Sequence, residues 1–265
     1  MQIMKTSVGL VLLLSAVLFA YAARAEESCT KIVATGHPEY PPMAFKEGDR
    51  IDGAAPLLVG EIAKELKVPL ETKYMGSWSE AQSATREGKA DMIIGVYSND
   101  ERTEYLDYVD PPFAYDPVHV FVANDQLFDF KGPENLIGKK GIANAGESFG
   151  TTFDDFLKEK LTVTRVDGLA AGFDALLSGD ADYLIAAYYP AIAALVRSGL
   201  DDKVQPLEPA LFSEELFVAF SKKSPCVDLS SEFGDGITEM TEDGRFRELV
   251  RNALRQWGAD ESFKD

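Results

Sequence analysis

The chain has 265 residues, 44 acidic against 26 basic, for a net charge of −18, with 46% hydrophobic and 11% aromatic residues. So acidic a surface argues against nucleic acid and anionic lipid as partners and favours solubility. The length is large for one hydrophobic core and fits two lobes of about a hundred residues each.

Residues 1–25 have the layout of a secretory signal: Lys5, an apolar run over 8–20, and the small-residue ending Ala23-Arg24-Ala25. That layout predicts export, cleavage after Ala25 and a soluble periplasmic protein. The apolar run is too short for a membrane span, and no later segment approaches the length. Losing Lys5 and Arg24 with the leader leaves 24 basic against 44 acidic residues, a charge of −20. Two cysteines remain, Cys29 and Cys226, and an even count in an oxidising compartment predicts a disulfide between them. His37 and His119 have no ligand-spaced partners and read as loop and strand residues, so neither a metal site nor a cofactor is expected.

Residues 29–34 form a short apolar strand that runs into GHPEYPPMAF (36–45). Gly36, Pro38, Pro41 and Pro42 argue against regular structure there, and the loop presents Glu39 and Tyr40 from a sheet edge. Leu58, Ile62 and Leu66 make a helical stripe over 56–66, and 68–74 is the second strand. Ser79 caps a helix that ends at Gly88, with Trp78 just before it. Asp91 then opens the buried run MIIGV, a central parallel strand. Tyr97, Ser98 and Asn99 turn the chain, and Asp100 and Glu101 begin a new element with Arg102 at the strand's carboxyl end. Open α/β sheets bind ligands at that edge. A guanidinium there can hold a carboxylate through two parallel hydrogen bonds.

Val118, Val120 and Val122 alternate within 115–124, a strand by which the chain leaves the first lobe. Residues 136–142 lead into a strand, and the small residues of 144–152 precede the helical FDDFLKEKL. Backbone amides before a helix make a ready anion site. A helix over 168–182 and a buried strand over 183–187 follow, with Tyr188 and Tyr189 directly after. LFVAF is the return strand within 206–221. Residues 230–257 hold two amphipathic helices broken at Asp243-Gly244, which pack on the first lobe with Trp257 in its core. The fold class is α/β: two lobes, each a central sheet flanked by helices, with lobe 1 from 26–117 and 222–265 and lobe 2 from 118–221.

The stretch 88–113, GKADMIIGVYSNDERTEYLDYVDPPF, resembles the family-3 extracytoplasmic solute-binding proteins, the amino-acid receptors of ABC importers. Their pattern runs G-K-x-D, an apolar strand, T-x-x-R, then an aromatic-rich segment ending in P-Y or P-F; Asn99 stands here in place of the Thr. The resemblance implies a type II periplasmic-binding-protein fold with a two-strand hinge, working as a monomer that delivers its ligand to a membrane ABC permease. It implies that Arg102 binds the ligand carboxylate, that Tyr40 and Trp78 wall the pocket, and that Tyr97 lies beside them. In the second lobe a G-[ST]-[ST] turn contributes a hydroxyl and amides. Two registers compete for it, one using Ser148 and the other Thr151. The family ends the strand over 183–187 with an acid for the ligand's α-amine, where this chain has Ala187. Either Glu39 or another acid takes its place, or the ligand has no α-amine; Tyr188 could place a phenol nearby. The expected function is capture of a small carboxylate-bearing solute, an amino acid or a relative, without catalysis. The alternatives are an enzyme resembling the periplasmic cyclohexadienyl dehydratases, with Glu39 as general acid, and a ligand-sensing partner of a membrane receptor.

Overall fold

The computed structural model describes residues 28–258, so the signal segment expected over 1–25 lies outside the described residues. Strand β1 (Ile32–Gly36) runs into a small antiparallel ribbon, β2 (Glu39–Tyr40), β3 (Ala44–Glu47) and β4 (Arg50–Asp52). Helix α1 (Ala54–Glu65), β5 (Leu70–Thr72), α2 (Trp78–Glu87) and β6 (Met92–Val96) follow, and the strands pair in parallel in the order β5–β1–β6. Every residue of β6 is buried, as the unbroken apolar run MIIGV requires of a strand covered on both faces. The short helix α3 (Asp100–Thr103) and β7 (Leu106–Tyr108) then lead into β8 (Ala114–Ala123).

The second lobe contains β9 (Lys140–Asn144), α4 (Thr151–Lys160), β10 (Thr162–Val166), α5 (Leu169–Ser178), β11 (Tyr183–Ala187), α6 (Tyr188–Ser198) and β12 (Val204–Pro206). Its strands β10, β9 and β11 are parallel, and β11 pairs antiparallel with β8. Strand β13 (Phe212–Ser221) returns to the first lobe, where α7 (Ser230–Glu242) and α8 (Arg245–Trp257) pack on α1.

The lobes are joined by β8 and β13, which divide their pairing. Ala114–Val118 of β8 pairs with Phe212–Leu216 of β13. Beyond that ribbon, β8 joins β11 and β12 while Phe217–Phe220 of β13 joins β6. Phe217 is the first residue of β13 that pairs with the first sheet. Two hydrogen-bonded strands crossing between two sheets make a hinge that can twist with little disruption of either core.

Cys29 and Cys226 form a disulfide that spans 197 residues of chain, as expected. Beside it the Asp91 carboxylate accepts from Val33 N and Ser224 Oγ, both at 2.8 Å. That single side chain ties β1, β6 and the segment after β13 together.

Three local expectations are corrected. The GHPEYPPMAF segment is not irregular throughout: β2 and β3 form within it, because the turn at the two adjacent prolines leaves the flanking residues free to pair. The cap of α2 is Ser77 and not Ser79; Ser77 accepts from Glu80 N while Glu80 reaches back to Ser77 N, a capping box. Trp78 is therefore the first residue of the helix.

Candidate functional site

The turn after β6 places Arg102. Asn99 caps α3 by accepting from Arg102 N at 2.7 Å, and its amide nitrogen reaches Ser148 Oγ of the second lobe at 2.6 Å. A side-chain amide can accept and donate at once, so Asn99 both caps the helix and bridges the lobes. The Arg102 side chain is buried and forms no salt bridge among the described residues. Its Nη1 donates to Tyr97 O at 2.9 Å, Nη2 to Gly146 O at 3.0 Å and Nε to Gln82 Oε1 at 3.1 Å. Three of its five N–H groups are thus used on neutral acceptors, leaving one on each terminal nitrogen. Gly146 has φ +78, and a Cβ there would lie 2.7 Å from Ser79 Oγ. Only glycine admits this close meeting of the lobes.

The segment after β9 brings Glu147 into the cleft. The amide of Glu39 donates to His37 Nδ1 at 3.0 Å, and His37 Nε2 lies 3.1 Å from Glu147 Oε1 and 3.2 Å from the Asn144 side-chain nitrogen. Burial would raise the Glu147 carboxyl, but the hydrogen bond and charge of His37, the charge of Arg102 and the Asn144 side chain outweigh it and hold it below its ordinary value.

Deeper in the cleft, Tyr40 Oη donates to Asp116 Oδ2 at 2.5 Å and meets Tyr97 Oη at 2.5 Å. Asp116 is 2% exposed, and its Oδ1 has no hydrogen-bond partner. Burial pushes its carboxyl up to about 7; the Tyr40 hydrogen bond opposes the rise and the Glu147 charge adds to it. Burial, followed by the Asp116 charge, also drives the Tyr40 and Tyr97 phenols well above their ordinary value.

Glu147 divides the cleft in two. On its outer side, Arg102, Gln82, Asn99, Ser148, Lys158 and Arg165 border an open cavity of 640 Å³. On its inner side, His37, Glu39, Tyr40, Tyr97, Asn144 and Ala187 enclose 20 Å³, room for about one water. The lobes are closed on their own side chains.

The expected site residues fall as follows. Arg102 and Ser148 face the outer cavity, Tyr40, Tyr97 and Glu39 the inner one. Ser148 is buried, hydrogen-bonded to Asn99 and donating to Asp154. Trp78 is 4% exposed, with its ring 4.9 Å from that of His37, 5.6 Å from Arg102 Cζ, and Nε1 unpartnered. Thr151 opens α4 and accepts from Asp100 N, bordering a separate aromatic groove beside Phe153 and Phe212. Tyr188 packs on His119 at 5.0 Å in the second-lobe core and lines none of the described cavities. Trp257 is half-buried, 5.0 Å from Phe45 and 4.2 Å from Arg197 Cζ of the second lobe.

Sequence reasoning missed His37, Asp116, Asn144, Gln82 and Glu147 as members of the cleft. For Asp116 a signal existed. It lies in phase with Val118, Val120 and Val122, so the period of two that marks the strand also assigns it to the buried face.

A family model described as bacterial extracellular solute-binding proteins, family 3, matches residues 32–256. A "Probable histidine-binding protein" of Campylobacter jejuni subsp. jejuni is 26% identical over 220 residues, 81% of each chain. Among solved structures, a histidine kinase sensor domain with similarity to periplasmic binding proteins superimposes with a TM-score of 0.72 at 21% identity, covering 84% of this chain and 96% of the other. The arginine-bound substrate-binding protein AbpA of an amino acid ABC transporter from Streptococcus pneumoniae superimposes with a TM-score of 0.71 at 23% identity, covering 86% and 96%.

Proposed function

The chain belongs to family 3 of the bacterial extracellular solute-binding proteins, and from that membership we propose that its cleft captures a small carboxylate-bearing solute, an amino acid or a close relative, and delivers it to an ABC permease. The observation that carries this reading is Arg102. A buried guanidinium with no salt bridge and two unused N–H groups lacks a direct counter-charge, and a ligand carboxylate supplies one in bidentate form. Ser148 stands across the same cavity on the other lobe, and Tyr40, Tyr97, Glu39 and Trp78 border the adjoining pockets. Because the contacting groups belong to both lobes, a ligand stabilises the closed arrangement of the β8–β13 hinge. The relatives named above include proteins described as binding histidine and arginine, in keeping with an amino acid. The protein works as a periplasmic monomer without catalysis, its two lobes divided along the β8–β13 ribbon.

Native mass spectrometry of protein purified without refolding identifies any retained solute, and calorimetry measures its affinity. Arg102→Ala is expected to weaken it by about 2–5 kcal/mol, roughly 30- to several-thousandfold. Unchanged affinity removes Arg102 from the site. Turnover of prephenate or arogenate by the pure protein would replace the receptor reading by an enzymatic one.

A second reading, ligand sensing through a membrane partner, draws on the likeness to a kinase sensor domain. Permease-dependent uptake of the identified solute separates the two.

A further inference from the structure

The cleft does not balance its own charge. Asp116 lies on β8 with its carboxylate against the Oη of Tyr40, a residue that lines the inner pocket. Every group facing it from neighbouring elements is neutral or negative. From β2 and the end of β6 come the phenols of Tyr40 and Tyr97. From the segment before α4 comes Glu147, whose own partner is His37. From β13 comes Glu214, directly opposite Asp116 in the strand register and half-buried. From the start of α6 comes the Tyr189 amide, which only partly offsets the burial of the carboxylate. Oδ1 of Asp116 accepts from none of them. No cation is among the groups that shift the Asp116 carboxyl, and Arg102 faces the outer cavity, where its charge acts on Glu147.

An acceptor oxygen held dry and unpartnered costs stability, as does a carboxylate surrounded by acids. Both costs vanish if a cationic N–H donor enters the pocket. The place is also suited to such a donor. Ala187 lines the inner pocket, and it pairs with Val118, two residues along β8 from Asp116 on the same face. The small side chain of Ala187 keeps that wall of the inner pocket free of bulk and of charge. Cross-strand diagonal neighbours of this kind lie about 7 Å apart, within the reach of one ammonium group.

We propose that Asp116 is the seat of a ligand ammonium group, with the phenol oxygens of Tyr40 and Tyr97 beside it. The inference deepens the solute-binding reading and rests on it: the captured solute is a zwitterion, its carboxylate at Arg102 and its ammonium at Asp116. The ionisation of Asp116 then couples to binding. A carboxyl protonated in the free protein near neutral pH gives up its proton to receive the ammonium, so capture releases protons between pH 6 and 7.5.

The test screens the twenty L-amino acids by thermal shift. It then measures by calorimetry the tightest binder and its analogues stripped of the amine: the 2-hydroxy acid and, for a side-chain amine, the corresponding apolar side chain. The expected result is a preference of tenfold or more for the amine over at least one stripped analogue, and Asp116→Asn closes that gap while leaving affinity for the stripped analogue unchanged. Wild-type protein measured in two buffers of different ionisation enthalpy at pH 7 gives proton release independently of any variant. If stripped analogues bind the wild type as tightly as the amino acid, or if no proton is released, the solute-binding reading stands and the assignment of Asp116 falls. If no amino acid and no stripped analogue shifts the melting temperature, the capture reading itself fails, and this inference with it.

Discussion

A carboxyl kept for a guest destabilises the empty host, and the size of that effect at Asp116 follows from its environment. Burial raises its folded-state value from 3.8 to about 7. The unfolded chain ionises near pH 4 while the folded protein holds its proton until about pH 7, so the native state binds more protons across this window. Stability therefore falls as pH rises through it, and the contribution of Asp116 is most favourable below pH 4. Three units correspond to about 4 kcal/mol above pH 7, of which about 2–3 kcal/mol develops between pH 5 and pH 8. Asp116→Asn cannot ionise and keeps the size of the protonated acid. The melting temperature of the unliganded variant should exceed that of the wild type at both pH values, and the offset should grow by about 5–10 °C from pH 5 to pH 8, given 2–4 °C per kcal/mol for a chain of this size. Calorimetric melts of both proteins at the two pH values make the measurement. An equal offset at pH 5 and pH 8, or a variant less stable than wild type at pH 8, refutes the reasoning.

The remaining predictions concern the two lobes and their supports. Glu147→Gln weakens the charge-assisted hydrogen bond from His37 across the cleft by about 1–2 kcal/mol; small-angle scattering should show a larger radius of gyration for the unliganded variant, and an unchanged curve counts against this bond as a closing contact. Reduction of Cys29–Cys226, or Ser at both positions, releases a loop of 197 residues and should cost about 4–5 kcal/mol in the chain-entropy model, read from denaturant unfolding with and without reductant. Ser77→Ala removes the capping box of α2 and should cost about 1 kcal/mol, a fall of a few degrees in melting temperature.

Several features were readable without coordinates because their causes are local. The run MIIGV can only be a buried strand, Gly88 in the left-handed region ends α2 as a C-terminal glycine does, and two cysteines in an exported chain pair. The pattern around Arg102 was legible for the same reason, since the residues that place its backbone, Asn99 to Arg102, are consecutive. Tyr188 shows the limit. Its position after β11 is legible, but which way the first turn of α6 points its ring depends on packing against His119, 69 residues earlier in the chain.

What the chain determined alone is its division into elements, the class of fold and the position of the guanidinium, because burial periodicity, caps and turns act over a few residues. What only the tertiary structure decided is how the cleft is charged. His37, Asp116 and Glu147 are ordinary in their own segments, and they become a site only when closure of the hinge brings β2, β8 and the segment before α4 within hydrogen-bond range. Desolvation is a property of that enclosure, so an aspartate whose strand period assigns it only to an inward face becomes a buried acid with an unpartnered oxygen.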